Sequence, residues 1–281
     1  MAAAREITGG FTTNGYPVRA MIAMKDFNSA GKTVVLLLLL SGATGLAQLP
    51  GVGGASAPGT DFAILSRLFG EHKAFTAKSD VRVYDKTQNE KTSVAMTFIC
   101  LDSKSRVEID ISQMKSKDMP PGAMAAVKQM GMDRLVTIVR PEKKARYLIF
   151  PGLQSYVNTP LTAEETAAFA KNPKIEKTAL GKETLDGHAC AKNKVITTDD
   201  KGTKTEFTVW NATDMKDFPI QIMTKEKDDT VIIRYKEIKL DKPDAKQFDV
   251  ASNYKEYTDF LALTQAATMK MMNETPAPPN K

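Results

Sequence analysis

Short strand-like segments follow one another along most of this chain, and they constrain its fold more than any other feature. They are rich in Val, Ile, Thr and aromatic residues, and Arg106–Ile111 alternates strictly between polar and apolar positions. The links between them are short and carry turn residues, as at Asp186-Gly187. Strands joined in this way pair as antiparallel neighbours. The sequence predicts a meandering antiparallel sheet built from residues 75–84, 92–100, 106–111, 135–139, 147–150, 174–180, 194–198, 205–210, 220–224 and 231–240.

Helical patterns are few by comparison. The segment before Gly70 has helical spacing, and Thr162 with Glu165 matches a capping box, in which each side chain bonds the other residue's backbone N–H. Helices are predicted over 61–69, 123–130, 162–172 and 257–272. A long sheet with so few helices buries one face by curling around them or around a ligand. We therefore expect a mainly β (α+β) fold: a single curved antiparallel sheet, or incomplete β-barrel, whose helices plug the concave face beside an apolar cavity.

Residues 1–47 have the organisation of a secretory signal peptide. Lys25 and Lys32 precede the apolar run 34–40 (VVLLLLL), and a small-x-small cleavage pattern follows. The run is too short to span a bilayer. The alternative, a buried core helix, fits less well because a Gly/Pro-rich stretch comes directly afterwards. We predict cleavage near Ala47/Gln48 and export to the periplasm.

The remaining chain has one composition regime and no internal repeat. Residues 48–60 are predicted to be a linker, 61–272 a single domain, and 273–281 (NETPAPPNK) a disordered tail with nothing to bury. Met21 or Met24 is a more natural initiator than the first methionine. We therefore expect that the reading frame begins with an over-extended start.

The net charge looks at first like a clue to a nucleic-acid partner. It is formally +6, from 39 Lys and Arg against 33 Asp and Glu. Four basic and two acidic residues lie within 1–47, so the mature chain carries about +4. Its lysines are mixed with acids, as in Lys225–Asp229, and no basic stripe carries interleaved aromatic residues. We therefore expect no nucleic-acid partner, and peripheral association with anionic envelope surfaces stays open.

Catalytic patterns are absent from the sequence. It contains no G-x-S-x-G, and its two Cys and two His are too few and too scattered for a zinc site, so we expect no catalytic residue, metal or cofactor. His188 and Cys190 lie two apart on a predicted strand, hence on one face, which would allow an activated thiolate. No third group that would orient the imidazole is identifiable in the sequence. The alternative is a turn residue beside a buried cysteine.

The two cysteines leave two arrangements open. Cys100 and Cys190 both lie at predicted strand positions, and an exported chain favours a disulfide between them. Closing so long a loop would contribute roughly 4–5 kcal/mol in the chain-entropy model. Two separate buried thiols are the rival arrangement.

Methionines crowd the region around the second predicted helix. Thioethers are soft ligands that suit Cu(I), but no His or Cys lies nearby and the spacing is loose. Methionine also fills irregular apolar gaps and lines adaptable binding surfaces. We predict a Met-lined helix beside a cavity, with ordinary core packing as the alternative. The predicted cavity residues are Met114, Met119, Met124, Met130, Met132, Phe98, Phe150 and Trp210.

The second half of the chain carries a succession of short motifs. They read GKETLDGHACAK at 181–192, VWNATD at 209–214, FPI at 218–220, and KPDAKQFDV with a later NYK within 242–255. This succession resembles the bacterial exported family known as domain of unknown function 4412 and is similar, more distantly, to the LolA/LolB lipoprotein carriers. The resemblance covers roughly residues 135–257. Taken by themselves, the motif residues are structural: Asp186-Gly187 makes a hairpin turn, Trp210 anchors a strand end and Pro219 opens an edge strand.

The resemblance implies an incomplete antiparallel barrel that encloses helices and an apolar cavity for acyl chains. We predict a non-catalytic periplasmic monomer that binds a hydrophobic ligand, either a lipid or the acyl chain of a lipid-modified protein. The alternatives are an envelope structural or interaction protein without a small ligand, and a thiol-dependent enzyme.

Overall fold

The computed structural model describes residues 64–117, 122–170, 174–199 and 202–274. The predicted signal peptide and linker, Met119, and all but the first two residues of the predicted tail lie outside these ranges. Thirteen strands of the described chain form one sheet. They are β1 Ala74–Tyr84, β2 Glu90–Leu101, β3 Lys104–Asp110, β4 Lys115–Ser116, β5 Arg134–Arg140, β6 Ala145–Phe150, β7 Ser155–Pro160, β8 Lys174–Leu185, β9 His188–Thr198, β10 Lys204–Ala212, β11 Phe218–Glu226, β12 Asp229–Lys239 and β13 Lys255–Tyr257.

The strand order makes the sheet open and places the first strand near its middle. The order is β13-β7-β6-β5-β3-β2-β1-β12-β11-β10-β9-β8, with β4 beside β2. Neighbouring strands are antiparallel, as predicted, except that β13 runs parallel to β7. The prediction of a mainly β protein built on a curved sheet with a few helices is confirmed.

The sequence analysis and the structure differ at β7 and at Pro219. Residues 155–160 form β7, which the sequence analysis missed because Asn158 and Pro160 weaken the strand pattern. Pro219 does not open an edge strand, since β11 lies between β10 and β12. It pairs with Asn211 at a register shift that leaves its neighbour Ile220 on β11 without a paired residue on β10. A bulge accommodates proline inside a sheet because one residue there is left out of the hydrogen-bond ladder.

In the described ranges, four α-helical segments accompany the sheet: α1 at residues 64–68, α2 at Ala123–Gln129, α3 at Ala163–Ala170 and α4 at Phe260–Glu274. The capping box of α3 is confirmed, because Thr162 N–H donates to Glu165 Oε2 over 2.8 Å and Glu165 N–H donates to Thr162 Oγ1 over 3.1 Å. Helix α4 begins later than predicted. Tyr257 belongs to β13, and Asp259 accepts a hydrogen bond from Ala262 N–H over 2.8 Å, which fixes the start of the helix after it.

The main core lies on the face of the sheet that carries Phe75, Ala77, Ser79, Val81 and Val83, the alternate buried residues of β1. We call this the inner face. Residues from the helical segments pack against its core, as the plugging prediction requires, and those with the lowest exposure are Leu68, Phe69, Leu263 and Ala267.

A second core lies on the opposite, outer face, where residues 241–254 cross the sheet on their way to β13. We call these residues the outer strap. Phe248 is fully buried at its centre among Ile99, Ile138 and Ile149. Arg106 Nη1 donates to the Gln247 carbonyl over 2.9 Å. The KPDAKQFDV motif therefore fastens the outer strap to the sheet.

Candidate ligand site

A small pocket opens on the inner face between α1 and strands β10 to β12. Its volume is about 80 Å³. Its floor is apolar and its rim is formed by Thr205, Thr224, Lys225 and Glu226. The apolar lining residues are Ile64, Leu65, Phe207, Ile222, Val231 and Ile233. Small-molecule sites commonly have volumes of about 300–1,000 Å³, so a sizeable ligand requires α1 to move.

Phe69, directly after α1, holds this helical segment on the sheet. Its ring centroid lies 4.7 Å from that of Phe75, 5.5 Å from Phe218 and 5.4 Å from Tyr235. The helical turn ends at Gly70, which has a φ of 60° and whose N–H donates to the Arg67 carbonyl over 3.2 Å. The predicted helix end is thus confirmed. This aromatic packing attaches the described part of α1 to the inner core.

The predicted cavity residues are spread over the molecule. Phe98, Phe150 and Met132 are buried in the inner core, and Phe98 stacks on Phe69 at 5.7 Å. Met114, Met124 and Met130 are half-buried, and the first and last of these pack against the inner core. Among the described residues, none of the predicted methionines lines the pocket beneath α1.

Trp210 on β10 is buried and belongs to the same apolar cluster as Phe98 and Phe150. Its indole N–H donates to Glu183 Oε2 over 2.7 Å, and Lys192 Nζ lies 4.9 Å from the ring. The bond from Trp210 and the nearby Lys192 lower the pKa of Glu183. These three motif residues therefore fasten β8, β9 and β10 together.

The cysteines are separate in the structure. Cys100 on β2 and Cys190 on β9 are both buried free thiols. This is the second of the two arrangements that the sequence left open, and the alternative to a disulfide. Four strands lie between β2 and β9 in the sheet order. Burial raises the pKa of Cys100 to about 12, and burial also raises the pKa of Cys190.

His188 has an orienting group that the sequence analysis missed. Its Nδ1 lies 2.7 Å from Asp214 Oδ2, and this bond lowers the pKa of the Asp214 carboxyl. The partner is 26 residues away in sequence, so no local spacing indicated it. The Cys190 thiol donates to the His188 carbonyl over 3.3 Å and has a raised pKa, so this arrangement does not favour a thiolate.

We expect both thiols to resist iodoacetamide in the native protein near pH 8, because the reactive species is the thiolate and burial disfavours it. Unfolding in denaturant without a reductant should expose both, and the intact mass should then increase by two carbamidomethyl groups. The control is the same sample treated with reductant first. An unfolded, unreduced sample that gains no mass would instead establish a disulfide.

Over the four described ranges, no helix is both long enough and apolar enough to cross a membrane. Within the same part of the chain, no group of three or more His, Cys, Asp or Glu side chains is arranged to hold a metal ion.

Comparison with known proteins yields similarity at the level of structure. No family model matches the sequence, and no curated protein matches it. A LolA superfamily protein from Nitrosomonas europaea aligns over 70% of this chain and 98% of its own length, with 10% identity and a TM-score of 0.33. Lipoprotein LppX from Mycobacterium tuberculosis aligns over 70% and 100%, with 12% identity and a TM-score of 0.37. LprF from Mycobacterium bovis aligns over 72% and 100%, with 11% identity and a TM-score of 0.36. These values do not establish a family, and the resemblance to domain of unknown function 4412 stays a prediction.

Proposed function

We propose that this protein binds a hydrophobic ligand containing an acyl chain, without catalysing a reaction on it. The pocket beneath α1 is the observation that carries this proposal. Its floor is formed by Phe207, Ile222 and Ile233, its rim is polar, and residues of α1 complete its lining. Such a site suits an apolar chain that lies along the sheet while α1 shifts outward.

The proposal of a non-catalytic role is supported by the state of the potential nucleophiles. Burial raises the pKa of both cysteine thiols. His188 is hydrogen-bonded to Asp214 at a half-exposed position, and this pair lies on β9 and after β10, outside the pocket lining. A thiol-dependent enzyme would need a lowered thiol pKa at an accessible site.

The proposed setting is the cell envelope. It rests on the signal-like residues 1–47, whose organisation favours export, and on a mature chain with a small net positive charge. We propose that residues 61–272 act as one domain and that the protein works as a monomer.

An interaction role is the second candidate, and strand β8 favours it. Among the described strands β8 pairs with β9 alone, and Ile175 and Leu180 on it are 44% and 52% exposed. Lysines and the register shift before Gly181 protect this edge from pairing, however. Recovery of a specific protein partner by crosslinking through β8, together with no lipid binding, would favour this candidate.

Native mass spectrometry of the mature protein with added lipids tests the proposed function. We expect a complex with fatty acyl compounds, and its loss when Thr205 on the pocket rim is replaced by tryptophan. The larger ring would fill the entrance and should reduce affinity about tenfold or more. The matched control is Thr208→Trp, which alters the other face of the same strand at a similarly half-buried position. Spectra without any lipid complex, or equal loss in both variants, would contradict the proposal.

A further inference from the structure

One side chain interrupts the apolar lining of the inner face beside the pocket. Along β1 the inner positions are Ala77, Ser79 and Val81, so Ser79 stands where its neighbours are apolar. Only 2% of Ser79 is exposed, and its Oγ has no hydrogen-bond partner among the described residues. A buried hydroxyl in that state costs free energy, and removal of the hydroxyl group would relieve it. A buried polar residue without a partner, at a position where an apolar residue would be more stable, is expected at functional sites.

Tyr235, which carries a second hydroxyl group, lies opposite Ser79 on the neighbouring strand. The two residues are direct cross-strand partners on β1 and β12, and such partners have Cβ atoms about 4.5–5.5 Å apart. The Tyr235 ring packs edge-on against Phe69 and Phe218, and burial raises the pKa of its hydroxyl. Tyr235 therefore stays a neutral hydrogen-bond donor beside Ser79.

The Ser79–Tyr235 pair lies beside the pocket on the inner face of the sheet. Ile233 forms part of the pocket wall and precedes Tyr235 by two residues on the same face of β12. That spacing corresponds to about 7 Å along a strand. Leu65 of α1 lines the pocket, while Phe69 at its end contacts Tyr235. A chain that extended about 7 Å beyond Ile233 along the inner face, with Phe69 displaced, would reach Tyr235 and its partner Ser79.

We propose that Ser79, with Tyr235 beside it, binds the carbonyl oxygen of the acyl ligand by hydrogen bonding. This inference rests on the proposed function and specifies the ligand class. An ester carbonyl is a neutral acceptor and suits a site surrounded by aromatic rings. A free carboxylate would lose its hydration there, so the geometry favours an esterified acyl chain over the free fatty acid.

Competition binding with three probes of equal chain length tests the assignment: methyl laurate, lauric acid and the matching n-alkane. In the wild-type protein we expect the ester to bind most tightly. Ser79→Ala should weaken ester binding about tenfold, and Tyr235→Phe should weaken it by a similar or smaller factor, with alkane binding changed less than about twofold. Ser155→Ala is the matched control, because Ser155 is also buried but its hydroxyl already donates to the Leu153 carbonyl over 2.9 Å.

Thermal unfolding without lipid separates a binding role from a structural one. Ser79→Ala should be at least as stable as the wild type, whereas Ser155→Ala should be less stable. If the wild type and Ser79→Ala bind the ester and the alkane with the same preference, the inference is wrong and the proposed function stands. If the free acid binds better than the ester, the preference for an esterified chain is wrong. If none of the probes binds the wild type, the proposed function fails as well.

Discussion

Replacement of Arg146 by alanine is expected to lower the free energy of unfolding by about 3–5 kcal/mol, because it would leave Glu165 buried without its counter-ion. Arg146 Nη2 on β6 and Glu165 Oε1 on α3 are 2.9 Å apart, and their side chains are only 7% and 4% exposed. The second carboxylate oxygen accepts the Thr162 N–H of the capping box. The pair therefore fixes α3 to the sheet. Urea denaturation followed by circular dichroism measures the loss.

The double variant Arg146→Met/Glu165→Leu is the informative companion. Removal of both charges leaves no unpaired buried ion. The double variant should therefore lose less free energy of unfolding than Arg146→Ala and approach the stability of the wild type. As a surface control, Lys174→Ala breaks an exposed ion pair with Glu176 of nearly the same length, 2.8 Å, and should leave the melting temperature unchanged. A single Arg146 variant as stable as the wild type would contradict the structural role of the pair.

The same pair predicts how stability depends on pH. Burial alone would raise the pKa of Glu165, but the Thr162 N–H, the bond from Arg146 and its positive charge outweigh it, so the pKa is lowered below the usual 4.5. A carboxyl with a lowered folded-state pKa stabilises the protein fully above its unfolded pKa, and this contribution is lost as the pH falls through the folded value. Melting temperatures should therefore fall below about pH 4.5 more steeply in the wild type than in Glu165→Gln.

The Arg146–Glu165 pair shows which contacts can be predicted from local sequence patterns and which cannot. The capping box located Glu165 and the start of α3, because that motif depends on residues three apart. Arg146 was not identified as its partner, because an ion pair across a sheet depends on strand order. The same distinction applies to Pro219, which is tolerated inside β11 because of a bulge in the pairing of β11 with β10. That pairing cannot be predicted from local sequence patterns.

The candidate site was only partly predictable for a similar reason. Composition and strand count predicted an apolar interior covered by helices, and Phe98 was identified within it. The methionines were predicted to line a cavity because they lie close together in sequence. The pocket is instead formed by residues far apart in sequence, such as Leu65 and Ile233. Ser79 was not predicted as a site residue. A serine in a strand indicates a binding site only when its burial and its lack of a hydrogen-bond partner are known.

Phe248→Ala is expected to destabilise the protein by about 3–5 kcal/mol, the range for deletion of a buried aromatic ring. Phe248 is fully buried and is the anchor of the outer strap against Ile99 and Ile138. Arg140 Nη1 donates to the Phe248 carbonyl over 3.5 Å and to the Asp249 carboxylate, so loss of the ring also weakens polar contacts that position the strap.

The consequence should extend beyond the cavity itself, because the outer strap leads directly into β13 and α4. Residues of α4 such as Leu263 belong to the inner core. Amide hydrogen exchange should therefore increase in β13 and α4 of Phe248→Ala as well as around residue 248. Phe248→Leu, which keeps most of the volume, should cost about 1.5 kcal/mol or less. Leu261→Ala, at a position 62% exposed on α4, should change stability by less than about 0.5 kcal/mol. If Phe248→Ala were as mild as Leu261→Ala, with exchange unchanged in α4, the strap would not be an anchor of the C-terminal elements.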